Sequence, residues 1–138
     1  MREFRVYLKS EKKYMQLVSI LFHIDGIKID CKYKSKLGEW IYFKNVAKNE
    51  FVLEQFTGLK DKNGVEIYEG DIISVNGKYE KIVEFHADFF GFTLTNISDL
   101  KNKDWMEIRQ RPHSQWFSDF KREIEVIGNI HQNKDLLK

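Results

Sequence analysis

The sequence predicts a mainly β protein with little helix, on three observations. Proline occurs once and glycine eight times in 138 residues, and no long stretch carries paired helix caps. Short runs rich in β-branched and aromatic residues recur between turn signals. Several of these runs alternate apolar and polar side chains, the period of two that sends successive side chains to opposite faces of a strand.

The first expected strand is EFRVYL, residues 3–8, followed by the polar turn SEKK. YMQLVSILFHI, residues 14–24, follows Lys12 and Lys13 and has the look of a signal-peptide core. No small-residue cleavage site comes after it, only Asp25 and Gly26, and it is too short to span a bilayer. It reads as a buried strand. GIKIDCKY, residues 26–33, alternates through Ile27, Ile29 and Cys31, and WIYF, residues 40–43, is a further short strand. The polar connector AKNE, residues 47–50, is the expected seam between an N-terminal β module, 1–50, and a second module, 51–138.

The second module opens on FVLEQF, residues 51–56. DIISV, residues 71–75, runs into Asn76-Gly77, a strong hairpin signal, and EKIVEF, residues 80–85, is the returning strand. FGFTLTNI, residues 90–97, and REIEVIGNI, residues 122–130, complete the set. Residues 98–121 have weak periodicity and read as a short helix plus loop or as a working surface. NKDLLK at the end suits one helical turn capped by Asn133.

Composition excludes several classes. Hydrophobic content of 42% and aromatic content of 14% support a packed core rather than a disordered chain. Net charge is only +2, so no strong overall field advertises nucleic acid or membrane. The charge is uneven: residues 1–50 hold 11 basic against 6 acidic side chains, and residues 51–138 hold 12 against 15. Cys31 is the only cysteine, which rules out an intrachain disulfide and fits a reducing compartment.

The span TGLKDKNGVEIYEGDII, residues 57–73, concentrates the turn chemistry. Asn63-Gly64 fits the central pair of a type I′ turn, where both residues take positive φ. Gly70 marks a second turn, with Asp71 placed to accept from local backbone N–H groups. A phosphate-binding loop would need GK[ST] or GxGxxG spacing before a helix, and neither occurs. Gly58, Asn63, Gly64, Gly70, Asp71 and Gly128 are therefore expected to shape backbone, Gly128 by permitting a bend or a close approach.

FVLEQFTGLKDKNGVEIYEGDII, residues 51–73, together with VIGNIHQNKDLL, residues 126–137, resembles the YopX family of phage and prophage proteins. The family pattern falls on Phe56 to Gly64, Ile67 to Ile72 and Val126 to Ile130. Tyr7-Leu8 and Lys134 depart from it, and residues 98–121 have no clear counterpart. The resemblance implies a mostly β fold whose second module is an SH3-like β-barrel, and a mobile-element origin in a bacterial host. It supplies no activity. A small barrel must pair its outer strands or leave open edges, so REIEVIGNI is expected to close the sheet against segments near TGL and DII.

Chemistry-bearing residues form no recognisable centre. His23, His86, His113 and His131 lack ligand spacing, and Cys31 lacks the surroundings of a nucleophile. Glu69, Asp71, Glu84 and Asp88 offer carboxylates without a defined separation. Phe90-Gly91-Phe92 shares an aromatic-Gly-aromatic core with the RNA-recognition signature, but Asp88, Phe89 and Thr95 break the match. WMEIRQRPHSQW, residues 105–116, interleaves Trp105, Arg109, Arg111 and Trp116; it reads first as a lid whose tryptophans pack on the barrel with the arginines in water, then as residue types enriched at protein interfaces, then as suited to phosphate contact with stacking. Lys28, Lys32, Lys34 and Lys36 share one parity, which would project them together on one side of a strand, a face that is more often solvated than a groove.

The expectation is a non-enzymatic binding protein of the bacterial cytoplasm. Its first expected partner is a phage or host protein, or a second copy of itself. Nucleic acid is the second choice. No catalytic residue, cofactor, metal, membrane or small-molecule substrate is expected.

Overall fold

Val6 and Leu8, Met15 and Leu17, and Ile29 and Cys31 are each two residues apart, and all six are buried in one cluster. That is period-two alternation turned into a core. The computed structural model describes residues 3–86, 91–97, 111–112 and 123–137. By internal contacts the chain divides into Met1–Gln55 and Phe56–Lys138. The architecture is mainly β, and every strand pairing among the described residues is antiparallel.

The first unit contains β1 (Phe4–Leu8), β2 (Lys13–His23), β3 (Gly26–Lys34), β4 (Trp40–Ala47), a short 3-10 turn at Lys48–Glu50, and the start of β5 (Phe51–Lys60). Its strand order is β4-β3-β2-β1-β5. Val46 and Phe51 complete the core, with Phe4, Ile20, Ile27, Tyr33, Phe43 and Leu53 packed against it.

The expectation of a buried strand at residues 14–24 needs correction. Met15 and Leu17 are buried, but Val18, Leu21, Phe22 and Ile24 are exposed. Two features explain this. β1 pairs with Lys13, Tyr14 and Met15 of β2, and among the described residues the rest of β2 pairs only with β3. A bulge between Leu17 and Ser19 also shifts the alternation along the strand. A β2–β3 hairpin therefore extends past its neighbour with an apolar tip.

The second unit contains the rest of β5, then β6 (Glu66–Tyr68), β7 (Asp71–Val75), β8 (Tyr79–His86), β9 (Gly91–Asn96), β10 (Arg111–Pro112), β11 (Ile124–Asn129) and a 3-10 turn at Lys134–Leu137. Phe56 and Lys60 of β5 pair with Tyr68 and Glu66 of β6. The main sheet has the order β10-β9-β8-β7-β11. All five residues of β7 are buried. Ile73 and Val75 pack with Ile67, Val83, Leu94 and Ile124, while Ile72 packs separately with Ile82 and Ile97. Ile127, Ile130, Leu136 and Leu137 cover that second cluster, so the chain's end completes a core.

The expected barrel is not closed among the described strands. The 124–129 segment pairs with DII as expected, through Val126↔Ile73, Gly128↔Ile72 and Asn129↔Asp71, but it forms one end of an open order. The polar groups of β11 are partly met by a loop instead of a strand. Lys62 N–H donates to the Ile124 carbonyl at 3.0 Å, and Val126 N–H donates to Asp61 Oδ2 at 2.9 Å. Covering an edge in this way limits unwanted strand pairing without closing a barrel.

Candidate functional site

The glycine-rich span is held by its own side chains. Asp61 Oδ1 accepts from the N–H groups of Asn63 at 2.8 Å and Val65 at 2.9 Å, and its Oδ2 takes Val126. Gly64 N–H donates to the Asp61 carbonyl, and Asp61 N–H donates to the Val65 carbonyl. Gly64 has φ of +81°, but Asn63 is not in the left-handed region. The type I′ expectation at Asn63-Gly64 is thus corrected. The connection has one left-handed glycine after a tight turn, the arrangement of three-residue hairpin loops. The Asp61 carboxylate, which gathers the loop amides, decides between the two. Asn76 (φ 57°) and Gly77 (φ 67°) do both take positive φ, between the paired Val75 and Tyr79.

The other turn residues work in the same way. Thr57 Oγ1 donates to the Ile67 carbonyl at 2.7 Å and accepts from Leu59 N–H. Gly58 has φ of +83° and Gly70 +85°. Gly70 N–H donates to the Val83 carbonyl, while its own carbonyl accepts from Ile130 N–H. Buried Asp71 accepts from Tyr68 N–H at 2.8 Å. Gly128 sits at the β11 register shift, where a Cβ would stand 2.6 Å from the Asn133 side chain. Asn133 Oδ1 accepts from Asn129 N–H, and the Asn133 carbonyl accepts from Leu136 N–H at the start of the final 3-10 turn. Asn129 Oδ1 in turn accepts from the N–H groups of His131 and Gln132.

The remaining chemistry-bearing residues are scattered. Glu84 accepts from the Thr95 hydroxyl at 2.6 Å. Cys31 is fully buried with its Sγ 3.7 Å from Met15 Sδ, and burial, then nearby Asp30, pushes its thiol pKa up. His23 is exposed near the β2–β3 tip. Among the described residues no group of three or more His, Cys, Asp or Glu side chains is placed to hold a metal ion, and no helix is long and apolar enough to cross a membrane. Trp105, Arg109, Trp116, His113, Asp88 and Phe90 lie outside the described residues. Arg111 is described only as backbone in β10, paired with Leu94 of β9.

One buried charge escapes any reading of the sequence. Glu54 is 2% exposed and sits opposite Arg5 in the β1–β5 register. Its carboxylate takes a 3.0 Å ion pair from Arg5 and a 2.9 Å hydrogen bond from the Tyr14 hydroxyl. The Arg5 guanidinium also lies 4.2 Å from the centre of the Tyr14 ring. Burial raises the Glu54 pKa, and Arg5 and Tyr14 offset part of that rise. Nothing in FVLEQF signals this, because the partners come from β1 and β2.

Among the described residues, a second surface with binding chemistry lies on β3 and β4 of the first unit. Lys32 pairs with Tyr42 and Lys34 with Trp40 across β3 and β4, so all four side chains share a face. The Lys32 ammonium is 4.4 Å from the Trp40 ring centre and 5.7 Å from that of Tyr42. Trp40 and Tyr42 keep 42% and 53% of their surface exposed. An open groove of about 430 Å³ beside them is lined by Tyr14, Met15, Gln16, Lys32, Tyr33, Lys34 and Trp40. Sequence parity groups Lys32 with Lys34, but the partner strand that supplies the rings is set by tertiary register.

No curated protein sequence matches the chain. Among solved structures it is similar over 99% of its length to the crystal structure of protein EF1440 from Enterococcus faecalis, covering 97% of that chain at 26% identity and a TM-score of 0.65. It is also similar in fold to the crystal structure of YopX from Bacillus subtilis, over 100% of both chains at 19% identity and a TM-score of 0.51. Residues 3–138 match the family described as YopX protein, and the chain belongs to that family.

Proposed function

We propose that this chain is a phage- or prophage-encoded binding protein of the bacterial cytoplasm, without a catalytic centre of its own, and that its first partner is a protein. The observation that carries this reading is the β2–β3 hairpin tip. Phe22 is 81% exposed and Ile24 fully so, with Val18 and Leu21 exposed along the same strand. Apolar side chains grouped at the end of a projecting hairpin suit burial against another protein. The non-enzymatic reading is supported by the family's shared Asp61, Asp71 and Asn129, whose oxygens hold backbone amides. The phage origin rests on what membership of the YopX family implies. The SH3-like reading of the second unit stands here too, resting on its five short antiparallel strands.

The test compares wild type with Phe22→Ser/Ile24→Ser in pull-downs from phage-induced bacterial cells, alongside solution mass. We expect the variant to lose a recovered protein or to drop from an oligomer to a monomer. Identical recoveries and identical mass for both would sink the reading. A parallel Trp105→Ala/Trp116→Ala variant tests whether that segment shares the interface.

A further inference from the structure

The Lys32–Lys34–Trp40–Tyr42 face has chemistry that a purely protein-binding role leaves unused. Two half-exposed rings two residues apart on β4 present flat surfaces. Lys32 and Lys34 stand directly across from them on β3. Lys28 extends the same face of β3, and Lys36 follows the strand's end. None of these four lysines forms an ion pair with a carboxylate among the described residues. The open groove alongside offers Tyr14 and Gln16 as polar lining.

We propose that this face binds single-stranded nucleic acid. Bases stack on Trp40 and Tyr42, and Lys32 and Lys34 meet the phosphates between them. Three points favour a nucleic acid strand over an acidic protein segment. Exposed aromatic planes are spaced along one strand, as successive bases require. The Lys32 ammonium already lies over both rings, so a base that displaces it leaves it beside its own phosphate. The face keeps a positive excess, four lysines against the Asp30 carboxylate between Lys28 and Lys32, which attracts a polyanion and releases its counterions. An acidic peptide would satisfy the lysines but leave the rings without a planar partner. This surface is separate in residues from the Phe22–Ile24 tip, so the proposal does not depend on the protein-binding reading.

The experiment follows the fluorescence anisotropy of a labelled thymidine 12-mer as the full chain is added at low salt. We expect binding at micromolar protein that weakens steeply with added salt. Trp40→Ala weakens it roughly tenfold or more, as removal of one stacking platform does. Trp40→Phe restores most of it. Lys32→Gln/Lys34→Gln lowers the slope of log affinity against log salt by about 0.7 for each phosphate that is no longer neutralised. Circular dichroism establishes that each variant is folded. The proposal is overturned by the absence of any anisotropy change, or by folded Trp40→Ala and Lys32→Gln/Lys34→Gln proteins that bind as wild type does. Displacement of the oligonucleotide by poly-glutamate as readily as by unlabelled 12-mer would also overturn it, because the face would then select carboxylates.

Discussion

Asp61 Oδ2 accepts the N–H of Val126 at 2.9 Å, joining residues that are 65 apart in the chain. The same carboxylate holds the amides of Asn63 and Val65. One side chain therefore shapes a hairpin loop and satisfies the outer edge of β11. Asp61→Ala leaves three part-buried N–H groups without their acceptor, and an orphan shut off from water costs on the order of 1–3 kcal/mol. The expected loss is about 2–4 kcal/mol after partial rescue by water. Urea unfolding gives the number, and a loss below about 0.5 kcal/mol, the scale of an ordinary surface substitution, would contradict the role.

Gly128 and Asn133 are a second coupled pair. Gly128→Ala pushes a methyl against the Asn133 side chain and disturbs its hydrogen bond from Asn129 N–H. A loss of about 1–3 kcal/mol is expected, as for other overpacked sites. Asn133→Ala removes the obstacle, so the double variant should be more stable than the sum of the single losses predicts. Additive losses in a double-mutant cycle would show that the two side chains do not compete for space.

β11 and the tail complete both clusters of the second unit, through Ile124 on one side and Ile127, Ile130, Leu136 and Leu137 on the other. Ending the chain after Glu123 removes all of them. The expected outcome is loss of the cooperative transition of residues 56–123, read by thermal circular dichroism. A truncated chain that keeps the full-length melting profile and β signal would refute this.

Glu54 ties stability to pH. Its folded pKa is raised, chiefly by burial, so the native state holds the proton more tightly than the unfolded chain does. By linkage, this group's contribution is fully present below the unfolded value, about 4.3 for Glu, and is lost as pH rises through the folded value. Glu54→Gln removes the titration. The stability of wild type relative to Glu54→Gln should therefore fall as pH is raised from about 4 through that window. Thermal unfolding across a pH series tests it, and a flat or rising difference would reverse the sign.

Much of the fold is legible along the chain because its signals are local. Alternation at Ile27, Ile29 and Cys31 marks a strand whichever strand lies beside it. Asn76-Gly77 announces a hairpin because two adjacent residues must share positive φ. The family motifs stand out for the same reason: Thr57, Asp61, Asp71 and Asn129 bond to amides or carbonyls mostly within a few residues of themselves.

Other features are set at a distance. Asn63-Gly64 has the composition of a type I′ pair, but the Asp61 carboxylate selects a different loop. YMQLVSILFHI has the composition of a buried strand, but β1 pairs with β2 only as far as Met15 and leaves its second half uncovered. Glu54 is a buried ion-paired acid only because Arg5 and Tyr14 arrive from other strands.

The linear chain by itself determined which segments extend, where most of them turn, and membership of the YopX family, because strand periodicity and turn stereochemistry depend on near neighbours. Only the tertiary structure decided that the second sheet stays open among its described strands, that the β2–β3 tip is apolar and exposed, and that Lys32 stands over Trp40 and Tyr42. Those outcomes follow from strand length and pairing register. A one-residue slip in register turns every side chain of a strand to the opposite face, and no local pattern specifies which partner residue lies across.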